Sequence, residues 1–255
     1  MSIFSLVSHN VFWFQGSPFA PEQPGMPDPA IMLDLLRLYQ VHSPDVYCLQ
    51  EIQDIVCFDL LRKHLAMNGA FCSGRKRPQY GGAIFWSHGR HISDSSGHEP
   101  APHRMWQVAE VMTRGNPIIR LANVHLTSAR YLAQDEAAIE RVAEIESLLK
   151  AGEVDIVAGD FNEGPRLGVA LRLEAAGYVD AAVVSGVSLE STGVGKSRSD
   201  QIWLRGDWAS HVESFGYVDW DELRISGNSA KTFQAKGNHA GHLSDHLPLW
   251  LKLAF

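Results

Sequence analysis

The chain has 255 residues, a formal charge of −7 at neutral pH, 45% hydrophobic residues and 20% charged ones. That balance excludes a disordered or fibrous chain and allows a sizeable core. The acidity counts against a protein that coats nucleic acid through Lys and Arg, though not against a metal-assisted nuclease, because a bound cation offsets local negative charge.

Chains of this length often form one large sandwich or barrel. No Gly/Ser-rich linker divides this one, so a single domain over 1–255 is expected. Cys48, Cys57 and Cys72 cannot all pair within the chain and lack zinc-type spacing; reduced thiols in a cytoplasmic protein are expected. The opening Met1–Val7 run has no basic stretch or small-residue cleavage site and reads as a first strand. No apolar run approaches the roughly 20 residues of a membrane span, and no obligate protein partner is indicated.

In chain order, Ile3–Val7 reads as a buried strand, followed by a proline-rich loop over Phe14–Pro29. Ile31–Tyr39 has Leu33, Leu36 and Tyr39 on a helical period, with Pro29 suited to the first turn. Val46–Leu49 is a short strand. Ile55–Met67 returns to helix and stops at Asn68-Gly69. Ala83–Trp86, Gln107–Met112 and Ile118–Val124 are β-prone runs separated by turn residues, which suggests antiparallel pairing. Tyr131–Lys150 is the clearest helix, with Leu132, Ile139, Val142, Ile145 and Leu149 on one face. Val154–Ala158 is a strand and Arg166–Ala176 a helix; Ile202–Leu204, Val212–Tyr217 and Leu249–Leu253 are closing strands. The class is mixed α/β.

Four fragments beside these strands carry oxygen ligands and an imidazole: Ser8–Asn10, Leu49-Gln50-Glu51, Gly159-Asp160-Phe161-Asn162 and Ser244-Asp245-His246. Asn123-Val124-His125-Leu126 lies between the second and third. Mg²⁺ prefers such oxygens, and a nearby His can deprotonate a water for attack on phosphorus. Glu51 ends an apolar strand, where a carboxylate is costly unless metal-bound or paired; the bland alternative is an acid at a helix N-terminus. Asn10 and Asp245 are its candidate co-ligands, though Asn10 also suits a turn cap. Asp160 and Asn162 are common turn formers as well.

Together these pieces, with Arg198-x-Asp200-x-Ile202, resemble the endonuclease/exonuclease/phosphatase superfamily, the pancreatic deoxyribonuclease-like fold, from Ile3 to Leu253. The resemblance implies a four-layer sandwich of two mixed β-sheets flanked by helices. It implies that Asp160 contacts the attacking water or a metal and that Asn162 donates to a phosphoryl oxygen. Asp200, by family position, orients the general base His246; its bland reading is a solvated strand-entry acid. Two residues depart from the family pattern. His9 precedes Asn10 where a small or aromatic residue is commoner, and Gln201 follows Asp200 where Tyr or His is commoner.

His125 is the candidate transition-state donor, and Arg104 a further phosphate-binding residue. Arg75-Lys76-Arg77 with Tyr80 suits either a nucleic-acid backbone and a stacked base or a solvated loop. Trp13 and Phe14 suit a substrate wall or the core. His42, His64, His88, His91, His98 and His211 have no motif around them, while His239 and His242, in a loop just before Ser244, suit either a substrate contact or a solvated loop. Gly195-Lys196-Ser197 lacks the upstream Gly of a P-loop, since Glu190 stands there. The expected activity is a Mg²⁺- or Mn²⁺-dependent phosphodiesterase acting on nucleic acid or nucleotide-like substrates. The alternatives are a phosphomonoesterase or lipid-headgroup phosphodiesterase of the same fold, and an inactive binding scaffold.

Overall fold

The computed structural model describes residues 2–18, 26–97, 102–112, 118–193, 197–235 and 241–255. His98, Gly195, Lys196, His239 and part of the 14–29 loop fall outside them. In chain order the elements are β1 (Ile3–Asn10), α1 (Pro29–Gln40), β2 (Val46–Ile52), α2 (Ile55–Leu65), β3 (Asn68–Cys72), β4 (Gly81–Trp86), β5 (Gly89–Asp94), β6 (Met105–Met112) and β7 (Ile118–His125). They continue with α3 (Gln134–Ala151), β8 (Ile156–Asp160), α4 (Gly168–Ala175), β9 (Tyr178–Asp180), α5 (Ala181–Val184), β10 (Asp200–Arg205), β11 (Val212–Tyr217), α6 (Gly227–Ala235) and β12 (Leu249–Ala254).

Two six-stranded mixed sheets form, in the orders β11-β12-β1-β2-β4-β3 and β5-β6-β7-β8-β10-β9. Each holds one parallel pair, β1–β2 and β7–β8. A parallel pair needs a long crossover; α1 and α3 lie within the two connections. The consequence is functional: both strands of a parallel pair end at the same edge of their sheet.

Strand alternation builds the layers. Phe4 and Leu6 of β1 point to the interior between the sheets, with Val46, Ile84, Leu121, Ile156, Ile202 and Leu251. Val7, on the other face, packs with Ile31, Leu35 and Tyr39 of α1 and Phe58 of α2. On the far side, Val124 and Val157 meet Ile145 and Leu148 of α3 and Leu173 of α4. Helix, sheet, sheet and helix make the expected four layers. Each fully buried Leu, Ile or Phe contributes roughly 1.5–3 kcal/mol, so the strand ends project from a rigid body.

Several elements differ from expectation. Asn68-Gly69 does not close the helix before it; α2 ends at Leu65, Ala66 turns left-handed at φ 52°, and Asn68 begins β3. The α3 face is also different: Ile139 is 72% exposed, and the buried stripe is Ala137, Arg141, Glu144, Ile145 and Leu148. Trp13 and Phe14 are buried, on the core side of their two readings. Among the described residues, no helix is long and apolar enough to cross a membrane.

Candidate active site

The second sheet presents a row of side chains at one edge. Met105 pairs with His125, His125 with Asp160, and Asp160 with Asp200. Arg104 precedes Met105, so four adjacent strands, β6, β7, β8 and β10, carry Arg104, His125, Asp160 and Asp200 side by side. Gly159 makes the row possible. Its φ is +147°, and a Cβ there would sit 1.9 Å from the Val124 carbonyl oxygen, so only Gly lets β8 approach β7 beside Asp160.

The first sheet supplies the opposite wall. Asn10 ends β1, paired with Gln50. The β2–β4 register shifts between Gln50 and Ile52, leaving Glu51 as a bulge residue at φ 59°. A non-Gly residue held there costs on the order of 1–3 kcal/mol, and a bulge re-aims its side chain out of the strand alternation. The segment before β12 joins this wall: Ser244 Oγ donates to the Asn10 carbonyl at 2.6 Å and accepts from the His246 N–H at 3.2 Å.

The two walls meet at His246 and Asp160. His246 Nδ1 lies 2.7 Å from Asp200 Oδ2, and its Nε2 is 4.0 Å from Asp160 Oδ2. Asp160 Oδ2 receives Asn10 Nδ2 at 3.1 Å and Asn162 Nδ2 at 3.2 Å. Asp160 Oδ1 accepts the Asn162 N–H at 2.9 Å, an Asx turn that fixes Asn162 at φ 52°. His125 Nε2 is 3.4 Å from Asp160 Oδ2 and 3.9 Å from Glu51 Oε1, with the Arg104 guanidinium against the same nitrogen. Arg104 also lies over the Tyr80 ring at 4.3 Å.

Burial sets the electrostatics. It pushes Glu51 up to about 7; neighbouring Asp245 adds to the rise, while Arg104, His246 and Asn10 oppose it. Burial also raises Asp245 and Asp200 above the ordinary carboxylate range, partly countered in each by His246. For His246 burial disfavours the charged ring, yet Asp200, Asp160 and Asp245 together outweigh it and hold the imidazolium well above its usual value. His125 is driven the other way, by burial and then by Arg104 and His246, and is neutral.

The residues also fit a cation. Among the described residues, Glu51 Oε2 and Asp245 Oδ1 are buried with no hydrogen-bond partner, a costly arrangement for carboxylates unless a positive charge joins them. Ligand atoms of Asp160, Asp200 and His246 also lie within 4.8 Å of one another. The His246–Asp200 hydrogen bond already engages two of those groups, through Asp200 Oδ2, while Asp200 Oδ1 is likewise buried without a partner among the described residues. Asn10 is more committed: its Oδ1 accepts the Phe12 N–H at 3.1 Å while its Nδ2 serves Asp160.

Every candidate site residue therefore reaches this one edge. Two motif residues with no assigned chemistry turn out to tie the sheets together beneath it. Gln50 Nε2 donates to Asn123 Oδ1 at 2.7 Å, and Asn123 Nδ2 donates to the Leu49 and Ala83 carbonyls, each at 3.1 Å. Their signal was a polar residue inside an otherwise apolar strand. The two departures are also built in. His9, lowered to about 3 by burial, sits between the Tyr39 hydroxyl and the His246 carbonyl. Gln201 donates to the Glu163 carbonyl at 2.7 Å and accepts from Trp203 Nε1 at 2.8 Å.

A sequence model described as "Endonuclease/Exonuclease/phosphatase family" matches residues 7–246, and the chain belongs to that family. Membership supports a phosphoesterase. A search of curated proteins returns no match. Among solved structures, D. rerio TDP2 complexed with a single-strand DNA product is similar at a TM-score of 0.66 and 18% identity, covering 100% of both chains. The human Nocturnin catalytic domain, with a bound sulfate anion, matches at 0.65 and 16%, covering 99% of this chain and 94% of that one. The mannosyl-6-phosphatase of Bacteroides thetaiotaomicron matches at 0.67 and 15%, covering 99% and 100%. At these identities the likeness establishes the fold.

Proposed function

We propose that the chain is a Mg²⁺- or Mn²⁺-dependent phosphodiesterase, one catalytic domain over 1–255, acting on nucleic acid or nucleotide-like substrates. The observation that carries the reading is the His246–Asp200 pair at 2.7 Å, facing Asp160 and the partnerless oxygens of Glu51 and Asp245. Glu51 and Asp245, with Asn10 assisting, are the residues that would hold the cation. When bound, it supplies a Lewis acid that draws charge from a phosphoryl oxygen and the leaving alkoxide.

The protein's own groups do the rest. His246 Nε2 takes a proton from the attacking water, and Asp200 on the far nitrogen fixes the tautomer and stabilises the imidazolium. Asp160, held by the Asn10 amide and the Asn162 backbone N–H, orients that water. Asn162, His125 and Arg104 exchange their present contacts for the phosphoryl oxygens and bind the developing charge. An inactive scaffold would have no reason to keep strained Glu51 beside an Asp245 oxygen that has no hydrogen-bond partner among the described residues.

For the substrate, the basic loop supports a polyanion. The backbone N–H groups of Arg75, Lys76 and Arg77 bond to the carbonyls of Arg104, Pro102 and His103 at 2.9, 3.3 and 3.2 Å. That anchors the cations to the segment carrying Arg104, with Arg77 3.6 Å over the Tyr131 ring. The likeness to a TDP2 bound to DNA product leans the same way. The net charge of −7 and the likeness to a mannosyl-6-phosphatase favour the second reading, a small-molecule phosphoesterase. The three free, buried cysteines suit a reducing compartment such as the cytoplasm.

The test is an activity panel with Mg²⁺, Mn²⁺ or EDTA. It compares bis-p-nitrophenyl phosphate, p-nitrophenyl phosphate, single- and double-stranded DNA, RNA and a choline phosphodiester. Metal-dependent cleavage of diesters and oligonucleotides is expected. Hydrolysis of monoesters alone would transfer the case to the second reading, and no hydrolysis in any metal would end both.

A further inference from the structure

Helix α3 buries two charges that this chemistry does not use. Its inward stripe carries Arg141 and Glu144 where an amphipathic helix places Leu or Ile. Exposure is 1% for Arg141 and 4% for Glu144. Charges are retained in such a place only when hydrogen-bonded throughout, and the partners here all belong to segments at the candidate site. Glu144 Oε1 accepts the His103 N–H at 3.0 Å and the Thr127 hydroxyl at 2.5 Å; its Oε2 accepts the Thr127 N–H at 2.8 Å. Arg141 Nη1 donates to the Thr127 carbonyl and its Nε to Glu163 Oε2, both at 3.0 Å.

The sequence neighbours of those partners matter. His103 precedes Arg104, Thr127 lies two residues after His125, and Glu163 follows Asn162. One turn of one helix thus grips all three segments that carry the phosphate-facing side chains. Loops are ordinarily the mobile part of a site, whereas groups that bind a transition state must be held to within a fraction of an ångström. We infer that Arg141 and Glu144 are positioning residues that set Arg104, His125 and Asn162 relative to one another, an inference that rests on the phosphoesterase reading. The carboxylate is specific to the task. Three donors converge on Glu144, and an amide in its place would turn an N–H₂ toward at least one of them.

Glu144→Gln keeps the volume and removes that acceptor pattern. On bis-p-nitrophenyl phosphate kcat is expected to fall about 10–100-fold, with KM within about threefold. Fold loss alone does not produce the second signature: in an Arg104→Ala background, Glu144→Gln should cost clearly less than in the wild type, because one of the groups it positions is gone. Thr127→Val deletes one bond to Glu144 while keeping its backbone partners; it should repeat the pattern on a smaller scale even if Glu144→Gln folds poorly. Orthophosphate affinity in EDTA, by calorimetry, gives a reading without turnover and should weaken about tenfold in Glu144→Gln. Unchanged kcat, or an equal loss in both backgrounds, overturns the inference. If the wild type binds orthophosphate but cleaves no ester, the phosphodiesterase reading falls. The orthophosphate affinity of Glu144→Gln then decides the positioning role, weakened binding supporting it and unchanged binding overturning it. A wild type that neither binds nor cleaves overturns both.

Discussion

The two walls of the site are built on opposite principles. On the second sheet, Asp160 receives three hydrogen bonds, from Asn10 and twice from Asn162, and Asp200 pairs with His246 through Oδ2 while its Oδ1 has no partner among the described residues. On the first-sheet side, Glu51 sits at a strained φ and both it and Asp245 keep an oxygen with no partner. A satisfied polar network fixes geometry, while unpaired buried charge stores free energy that a ligand can release. Under the proposed function the contrast separates groups that would handle the proton from groups that would hold a cation, and each set should answer mutation in its own way.

The largest effect is expected from the unpaired wall. Chelation with EDTA should abolish turnover, and Glu51→Gln should blunt its return with Mg²⁺ or Mn²⁺. The same variant should not harm the metal-free fold. Glu51 holds its proton up to about pH 7 when folded, against an ordinary 4.5. The folded state therefore binds more protons than the unfolded one between those values, and metal-free stability falls as pH rises through that window. Glu51→Gln should flatten the fall, read as melting temperature in EDTA from pH 4.5 to 7. Full activity in chelator, or a steeper fall in the variant, would erase the distinction between the walls.

The hydrogen-bonded groups Asp160, Asp200 and His246 should respond in turnover. His246→Ala is expected to lower kcat about 10²–10⁴-fold, the range for loss of a general base. Asp200→Asn should lower it less and shift its pH dependence. The base form of His246 appears as pH rises through a pKa held high by the surrounding carboxylates. Removing the Asp200 charge destabilises the imidazolium, so the rising limb of kcat/KM should move to lower pH with a reduced plateau. A limb that stays in place would dissolve the pair.

How much of this was legible in the sequence follows from where residues sit. The motif fragments are readable because each lies at the end of a buried strand or within a few residues of one, as Ser244–His246 does before β12, where polar residues border an apolar run. The strands that escaped were β3, β5 and β9, all at sheet edges or, for β9, three residues long. An edge strand is half solvated and carries polar residues by necessity, so Gly89–Asp94 lacks an apolar signature and Asn68-Gly69 mimics a helix stop. The α3 face was misassigned because its inward stripe is charged at the centre. Periodicity of apolar residues selects Ile139, yet Arg141 and Glu144 are inside because their partners come from distant segments, from Thr127 at 14 residues from Arg141 to His103 at 41 residues from Glu144. The strained φ of Glu51 is likewise a property of the β2–β4 pairing, invisible in Leu49-Gln50-Glu51 alone.

The smallest expected effect lies outside both walls, on the basic loop, and it sharpens what the site is for. Arg75 and Lys76 are exposed and Arg77 half-buried, so the first two present their charges to solvent, where a phosphate backbone can reach them. A polyanion bound there displaces condensed counterions, and each phosphate contact steepens the fall of log K with log salt by roughly 0.7–0.9. Neutralising Arg75, Lys76 and Arg77 to Ala should therefore flatten the salt dependence of KM for an oligonucleotide by up to about 2–3 in slope. Hydrolysis of bis-p-nitrophenyl phosphate, which carries one phosphate, should be left almost unchanged. Arg104 stays in place in this variant, so the phosphoryl seat itself is not disturbed. The measurement is KM at several salt concentrations for both substrates and both proteins. Parallel salt slopes for the two proteins on the oligonucleotide would reduce the loop to a solvated turn and leave the small-molecule reading ahead.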